Sequence, residues 1–157
     1  MNGASLWYLL FLCLGLALGW RDWRERKVSN KVLLAALLAQ SAWLATWAMR
    51  QAAAPTGAAD FAQAGLGFAL GMLAYPLWRM GKMGAGDVKA LAVLGFLLGP
   101  LGLAATWLLG TLLALAHALS AVLRGAHRAP GRRVHPYVAH LVCGALLWLW
   151  FSATGRA

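Results

Sequence analysis

The chain has 157 residues, 62% of them hydrophobic, with a mean hydropathy of +0.67 and a formal net charge of +10. This apolar share exceeds that of an ordinary soluble domain, and no soluble domain fits between the apolar segments. The basic residues stand in short loops between apolar runs, which is typical of cytoplasmic loops of membrane proteins and not of a nucleic-acid groove. The composition therefore predicts one integral-membrane domain over residues 1–157, with the lipid bilayer and not nucleic acid as its surroundings.

The first apolar stretch, Ala4–Trp20, has the length of a secretory signal, but its charges follow it instead of preceding it. The basic residues after it are Arg21, Arg24, Arg26 and Lys27. This order favours a retained first membrane span whose amino end lies outside the cytoplasm.

Four further stretches have roughly the 20 apolar residues that cross about 30 Å of hydrocarbon. They are Val32–Met49, Phe61–Trp78, Leu101–Leu123 and Val138–Thr154. The segment Val88–Leu98 is shorter, and the sequence Gly99-Pro100-Leu101-Gly102 separates it from the next span. Because proline interrupts a helix, we expect a hairpin at this point.

Charge counting decides whether Val88–Leu98 crosses the membrane. With six spans, the cytoplasmic loops hold 12 of the 14 basic residues, and Arg50 and Arg156 remain outside. Without that crossing the later loops invert, and the division becomes 9 against 5. The positive-inside rule thus favours an all-α polytopic protein of six transmembrane helices with both termini outside, in the periplasm.

The four acidic residues are Asp22, Glu25, Asp60 and Asp87. Asp22 follows the first span near the cytoplasmic boundary. Asp87 precedes Gly99, which lies at the outer face, by about 18 Å of helix. Because the hydrocarbon is about 30 Å thick, Asp87 lies below the cytoplasmic surface. The two aspartates share one side of the membrane and can meet. A carboxylate pair of this kind can activate water with its ionised member and polarise a carbonyl with its protonated member, and such a pair needs no metal.

Other roles remain open for each of these acids. Asp87 can act simply as the N-cap of a helix, with Gly84 and Gly86 permitting a tight turn. Asp22 can form a salt bridge with Arg21 or Arg26. Glu25 fits a solvated loop charge, and Asp60 fits an N-cap of the third span.

Histidines form the other titratable group within apolar segments. His117 lies in the fifth span and His140 near the start of the sixth. We expect neutral histidines hydrogen-bonded between helices, with a proton relay as the alternative. His127 and His135 belong to the basic loop between these spans.

Two motifs resemble those of a known family. The stretch "MGAGDVKALAVLG", Met83–Gly95, resembles the second motif of the type IV prepilin peptidases, which are GxGD aspartyl proteases of bacterial membranes. The stretch "DWRERKVSN" is similar to the first motif through Asp22, Arg24 and Asn30, although Ser29 stands where proline is usual. The stretch "HPYVAHLVCG", residues 135–144, resembles the entry to the family's last span.

The resemblance implies a catalytic dyad of Asp22 and Asp87, supported by the motif residues Gly84, Gly86, Lys89, Arg24 and Asn30. It implies cleavage of the basic leader of prepilins or pseudopilins at the cytoplasmic face of the bacterial inner membrane, just before the substrate's hydrophobic helix. It implies no cofactor. Larger members add a cytoplasmic insertion with a cysteine cluster and also N-methylate the new amino terminus. This sequence has no such insertion and no cysteine cluster in a loop, so it is similar to the short, peptidase-only members of tight-adherence pilus systems.

Two other functions are compatible with the same sequence. A non-enzymatic carrier or an assembly factor for pili or secretion would use the buried acid for proton coupling or packing. A GxGD intramembrane protease with a different substrate would keep the dyad. The absence of an obvious inverted repeat weighs against the carrier.

Overall fold

The computed structural model describes residues 3–25, 27–50, 60–124 and 136–155. Within these ranges every regular element is an α-helix, which confirms the all-α prediction for this part of the chain. The helices are α1 (Gly3–Glu25), α2 (Asn30–Met49), α3 (Phe61–Met72), α4 (Tyr75–Arg79), α5 (Ala85–Leu123) and α6 (Tyr137–Ala153).

A buried polar contact joins α1 to α2. The Trp7 indole Nε1 donates a 2.7 Å hydrogen bond to Gln40 Oε1, and both side chains are almost wholly buried. An indole N–H in an apolar interior requires an acceptor, because a buried unpaired donor is costly. Gln40 supplies that acceptor and fixes the lateral position of the two helices.

The predicted third span, Phe61–Trp78, is not one continuous helix. α3 ends at Met72, Leu73 and Ala74 form a turn, and α4 begins at Tyr75 with Pro76 in its first turn. Proline has no N–H for the helical ladder and crowds the carbonyl four residues earlier, which is that of Met72. The predicted span Phe61–Trp78 is therefore divided into two helices before this proline.

The hairpin expected at Gly99 lies within α5. Gly99 has φ 72° and ψ −177°, a non-helical conformation that breaks the hydrogen-bonded run of 39 residues. A straight helix would separate Asp87 from Thr111 by about 36 Å. Both residues nevertheless line one cavity. The two arms, Ala85–Leu98 and Pro100–Leu123, therefore fold back on each other at Gly99.

Small residues let the neighbouring helices approach α5 closely. On α3, Gly67 lies against the Gly95 backbone, and a Cβ placed on Gly71 would be 2.5 Å from Ala92 Cα. On α6, a Cβ placed on Gly144 would be 2.7 Å from the backbone of Gly110. Backbone contact of this kind is how helices associate within a bilayer. α5 is accordingly the central element, with α3 and α6 as its main partners.

The outer surface of the bundle is strongly apolar. Along the second arm of α5, leucines more than half exposed occur on successive turns: Leu101, Leu108, Leu112, Leu115, Leu119 and Leu123. A soluble monomer rarely presents such a continuous apolar surface. By length and composition two of the described helices, α2 and α5, could each cross a membrane. The topology of six spans with outer termini stays a prediction.

Candidate active site

Asp87 lies in the first turn of α5 as its third residue, N3, and not as its N-cap. The N-cap is Gly84, whose backbone N–H donates a 3.2 Å hydrogen bond to Asp87 Oδ2. The Asp87 carboxylate thus reaches back over the start of its own helix, where the helix dipole favours negative charge. A Cβ on Gly84 would lie 2.9 Å from Asp87 Oδ2, so a glycine at this position leaves room for the carboxylate.

The second motif contacts the first through two residues after Gly84. A Cβ on Gly86 would lie 2.8 Å from Val28 Cγ2, so this glycine lets α5 begin directly against the loop between α1 and α2. One turn further, Lys89 Nζ donates a 3.2 Å hydrogen bond to Asn30 Oδ1 at the start of α2. Gly86, Lys89 and Asn30 therefore join the two motifs, and Gly84 shapes the start of α5.

Asp22 is buried near the carboxyl end of α1, with 6% of its surface exposed. Its Oδ2 accepts a 3.0 Å hydrogen bond from the backbone N–H of Ala139 in the first turn of α6. The residue before α6 is Pro136, which has no side-chain hydrogen bond to offer that turn. Asp22 therefore caps α6 from another helix, and the partial positive charge of the α6 amino end stabilises the carboxylate.

Both carboxylates lie at the same end of the bundle. Here α1 ends and α2, α5 and α6 begin, as the contacts of Asp22 with Ala139 and of Lys89 with Asn30 require. Tyr137, two residues before Ala139, borders the same cavity as Asp87. The first turn of α6 thus binds Asp22 through Ala139 and borders, through Tyr137, the cavity that Asp87 also lines.

A cavity of about 710 Å³ begins at Asp87 and runs along the hairpin of α5. Its polar end contains Lys82, Gly84 and Asp87, and its other end reaches Pro100, beside the turn at Gly99. Leucines and small residues of α3, α4, the turn between them and α5 line most of the remaining wall, namely Leu70, Gly71, Leu73, Ala74, Leu77, Leu91, Leu103 and Ala104. The cavity therefore offers an apolar channel that ends at one carboxylate.

Three other charged residues near the end of α1, namely Arg21, Arg24 and Glu25, are exposed. Arg24 is exposed on α1, with its guanidinium 5.7 Å from the centroid of the Trp20 ring. Glu25 is exposed and forms a 3.3 Å ion pair with Arg21, which was one of the two partners considered for Asp22. Arg26, the alternative partner considered for Asp22, lies outside the described residues.

Asp60 has the role predicted for it, at the amino end of α3. It is the N-cap of α3 and accepts a 2.7 Å hydrogen bond from the backbone N–H of Gln63. This carboxylate is fully accounted for by helix capping.

The expected interhelical bond between histidines is present. His117 Nδ1 on α5 lies 3.0 Å from His140 Nε2 on α6, and His140 Nδ1 lies 2.7 Å from the Pro136 carbonyl oxygen. The Trp23 ring, next to Asp22, stacks on the His117 ring with 5.9 Å between centroids. The sequence contained no signal for this stacking, because Trp23 and His117 are far apart along the chain. His127 and His135 lie outside the described residues.

Comparison with known families gives one result that covers most of the chain. A model of the type IV leader peptidase family matches residues 9–119, a range that contains both Asp22 and Asp87. Comparison with curated proteins and with solved structures gives no significant match. Because the family model covers more than two thirds of the residues and both motifs, the chain belongs to the type IV leader peptidase family, a family of membrane-associated peptidases.

Proposed function

We propose that this protein is an aspartyl endopeptidase of the bacterial inner membrane that removes the leader peptide of type IV prepilins or pseudopilins at the cytoplasmic face. Membership in the leader peptidase family supports peptidase activity on prepilin-type substrates. The observation that carries the aspartyl mechanism is the position of Asp22: a buried carboxylate held by a helix amino end, at the same end of the bundle as Asp87. Buried carboxylates of this kind usually have a function.

In the mechanism we propose, Asp22 and Asp87 act on one water molecule and one peptide bond. The ionised carboxylate removes a proton from the water as its oxygen attacks the carbonyl carbon. The protonated carboxyl group donates a hydrogen bond to the carbonyl oxygen, where negative charge develops. The C–N bond then breaks, and the leaving nitrogen takes up a proton from the dyad. Two nearby carboxyl groups can share a single proton, which allows these opposite roles.

The cavity provides a path by which a substrate would reach Asp87. A prepilin-type substrate carries its cleavage site just before a hydrophobic helix, and the cavity joins a polar end at Asp87 to an apolar channel along α5. The substrate helix would lie along this channel, and the scissile bond before it would lie at Asp87. The cationic Lys82 and the Asp87 carboxylate are the charged groups of the cavity wall.

We further propose a single domain with six membrane spans, peptidase activity without methyltransferase activity, and a place among the short members of the family. The two compatible alternatives, a carrier or assembly factor and a GxGD protease with another substrate, differ from this proposal in what they do to a prepilin. A carrier leaves the leader in place whatever its aspartates are. The other protease keeps the dyad but does not release a prepilin leader.

The test is co-expression of a prepilin with the wild-type protein, Asp22→Asn and Asp87→Asn, followed by gel shift and amino-terminal sequencing of the product. We expect each substitution to lower the cleavage rate by about 10³-fold or more, because each removes a proton-transfer group from the reaction. Glu25→Gln and Asp60→Asn are the matched controls, since they neutralise the chain's other two acids and should cleave as the wild type does. Mass analysis of the new amino terminus should find it unmethylated.

Normal cleavage by either dyad variant, with equal protein in the membrane, would rule out the aspartyl mechanism. Failure of the wild type to remove any prepilin leader would rule out the proposed function itself.

A further inference from the structure

We propose that His117 and His140 form a clip that positions the Asp22 carboxylate, an inference that rests on the proposed role of Asp22. Neither histidine belongs to the two aspartate motifs, although His140 lies in the stretch that resembles the entry to the family's last span. Neither is among the residues that border the cavity at Asp87. They act through α6, the helix whose backbone holds Asp22. They are therefore positioning residues in this proposal and not catalytic ones.

For two neutral rings, the hydrogen bonds define which ring nitrogen carries the hydrogen. The Pro136 carbonyl oxygen can only accept, so the hydrogen of the 2.7 Å contact belongs to His140 Nδ1. In the neutral ring, His140 Nε2 is then an acceptor, and His117 Nδ1 must donate across the 3.0 Å contact. The direction of the chain is thus from His117 to His140 to the Pro136 carbonyl, and the orientation of both rings is determined.

These contacts tie α5 to the turn of α6 that binds Asp22. Pro136 is the residue before α6, Ala139 donates to Asp22, and His140 is the next residue along the helix. The His140 ring therefore braces both the start of α6 and its connection to α5. A shift of this turn would move the Ala139 N–H away from the Asp22 carboxylate.

The same clip also reaches Asp22 through its own helix. Trp23 follows Asp22 directly on α1, and its ring stacks on His117 at 5.9 Å with an angle of 27° between the planes. Three helices thus close a circuit around Asp22: α1 to α6 by Asp22 itself, α6 to α5 by the two histidines, and α5 to α1 by the stacked rings. The circuit restrains Asp22 from two directions, as a reacting group needs.

The geometry predicts a specific kinetic effect. Loss of the clip should misplace a proton-transfer group while leaving the cavity wall intact, so it should lower kcat and leave KM within about twofold. A general loss of folding would instead reduce the amount of active enzyme in proportion to the loss of thermal stability. The conservative variant His117→Asn separates these effects, because its amide N–H lies near the place of imidazole Nδ1–H and can donate to His140 Nε2.

The experiment measures kcat, KM and thermal stability for purified wild type, His117→Ala, His117→Asn, His140→Ala and the control Ser120→Ala. Ser120 lies one turn from His117, and its hydroxyl bonds the His117 carbonyl within α5, outside the circuit. We expect kcat to fall at least tenfold in both histidine-to-alanine variants, to recover to within about threefold in His117→Asn, and to stay unchanged in Ser120→Ala.

Three outcomes would overturn the clip while leaving the peptidase proposal in place. They are wild-type kcat in His117→Ala, a change confined to KM, and an asparagine variant as slow as the alanine variant although equally stable. If His117→Ala does not fold, His140→Ala and His117→Asn decide together: a tenfold loss of kcat in a stable His140→Ala that His117→Asn does not share supports the clip, and wild-type kcat in His140→Ala contradicts it. Absence of cleavage by the wild type would instead remove the proposed function on which the clip depends.

Discussion

Gly84 and Gly86 work at the scale of single residues, each leaving space for a different group. A side chain at position 84 would meet the Asp87 carboxylate, and one at position 86 would meet Val28. The first space lets Asp87 fold back onto its own helix start, and the second lets that helix begin against the first motif. The glycines thus shape the site by what they leave unfilled.

Gly84→Ala should therefore impair the reaction while leaving the protein folded. The new methyl group would lie 2.9 Å from Asp87 Oδ2 and displace the carboxylate from its bond to the residue 84 N–H. We expect cleavage to fall about tenfold, which corresponds to about 1.4 kcal/mol in the barrier. Gly65→Ala is the control, because a Cβ there has no atom within 4 Å. Equal cleavage rates for the two variants would contradict this account of Gly84.

The sequence could identify Asp22 and Asp87 but not what holds them. Both stand out because acids are scarce in an apolar chain and belong to recognisable motifs. The partner of Asp22 is a backbone N–H 117 residues away, and a backbone donor has no sequence signature. The alternative role considered for Asp87, that of an N-cap, belongs to Gly84, and α5 begins two residues before Asp87. The preference of aspartate for helix starts thus indicated the correct turn of α5 but not the correct position within it.

Among the helices, the contact between α3 and the first arm of α5 depends on backbone approach at Gly67 and Gly95. A Cβ on either glycine would overlap the carbonyl oxygen of the other. Because neither backbone can yield without moving its helix, any side chain there would separate the two helices. Gly65, two residues earlier on α3, faces open space instead.

Gly67→Val and Gly65→Val should consequently differ although they lie on the same helix. We expect Gly67→Val to lower the free energy of unfolding by about 2–4 kcal/mol, because overpacking at a backbone contact forces a shift of α3. Gly65→Val should stay within about 0.5 kcal/mol of the wild type. Thermal unfolding in detergent measures both. A Gly67 variant as stable as the Gly65 variant would show that α3 does not pack on α5 in this way.

Helix interruptions were visible in the sequence to different degrees. Gly99-Pro100 was predicted as a break, because two residues that disfavour helix stand together between apolar runs. Pro76 was passed over within an otherwise apolar run, and there the structure divides the helix into α3 and α4. An isolated proline gives the same local signal whether a helix ends or merely bends, so surrounding contacts decide the outcome.

At the scale of the whole molecule, the six-span topology places the end with both aspartates in the cytoplasm. Single cysteines at Glu25 and Lys82 should then be protected from a membrane-impermeant maleimide in intact spheroplasts, and one at Arg50 should react. All three residues are exposed in the structure, so each should react once the membrane is permeabilised. The background must lack Cys13 and Cys143, which are both free and exposed. Labelling of Glu25→Cys in intact spheroplasts would show that this end of the molecule faces the periplasm, which contradicts the proposed topology.

The short first arm of α5 ties this end of the molecule to the thickness of the surrounding lipid. Ala85–Leu98 provides about 21 Å of helix, against about 30 Å of hydrocarbon. In the six-span topology the bilayer must thin beside this arm, or water must descend to Asp87. Each ångström of mismatch costs a fraction of a kcal/mol, and longer acyl chains increase it. The acyl-chain length of the host membrane thus becomes a determinant of how readily water and substrate reach the carboxylates.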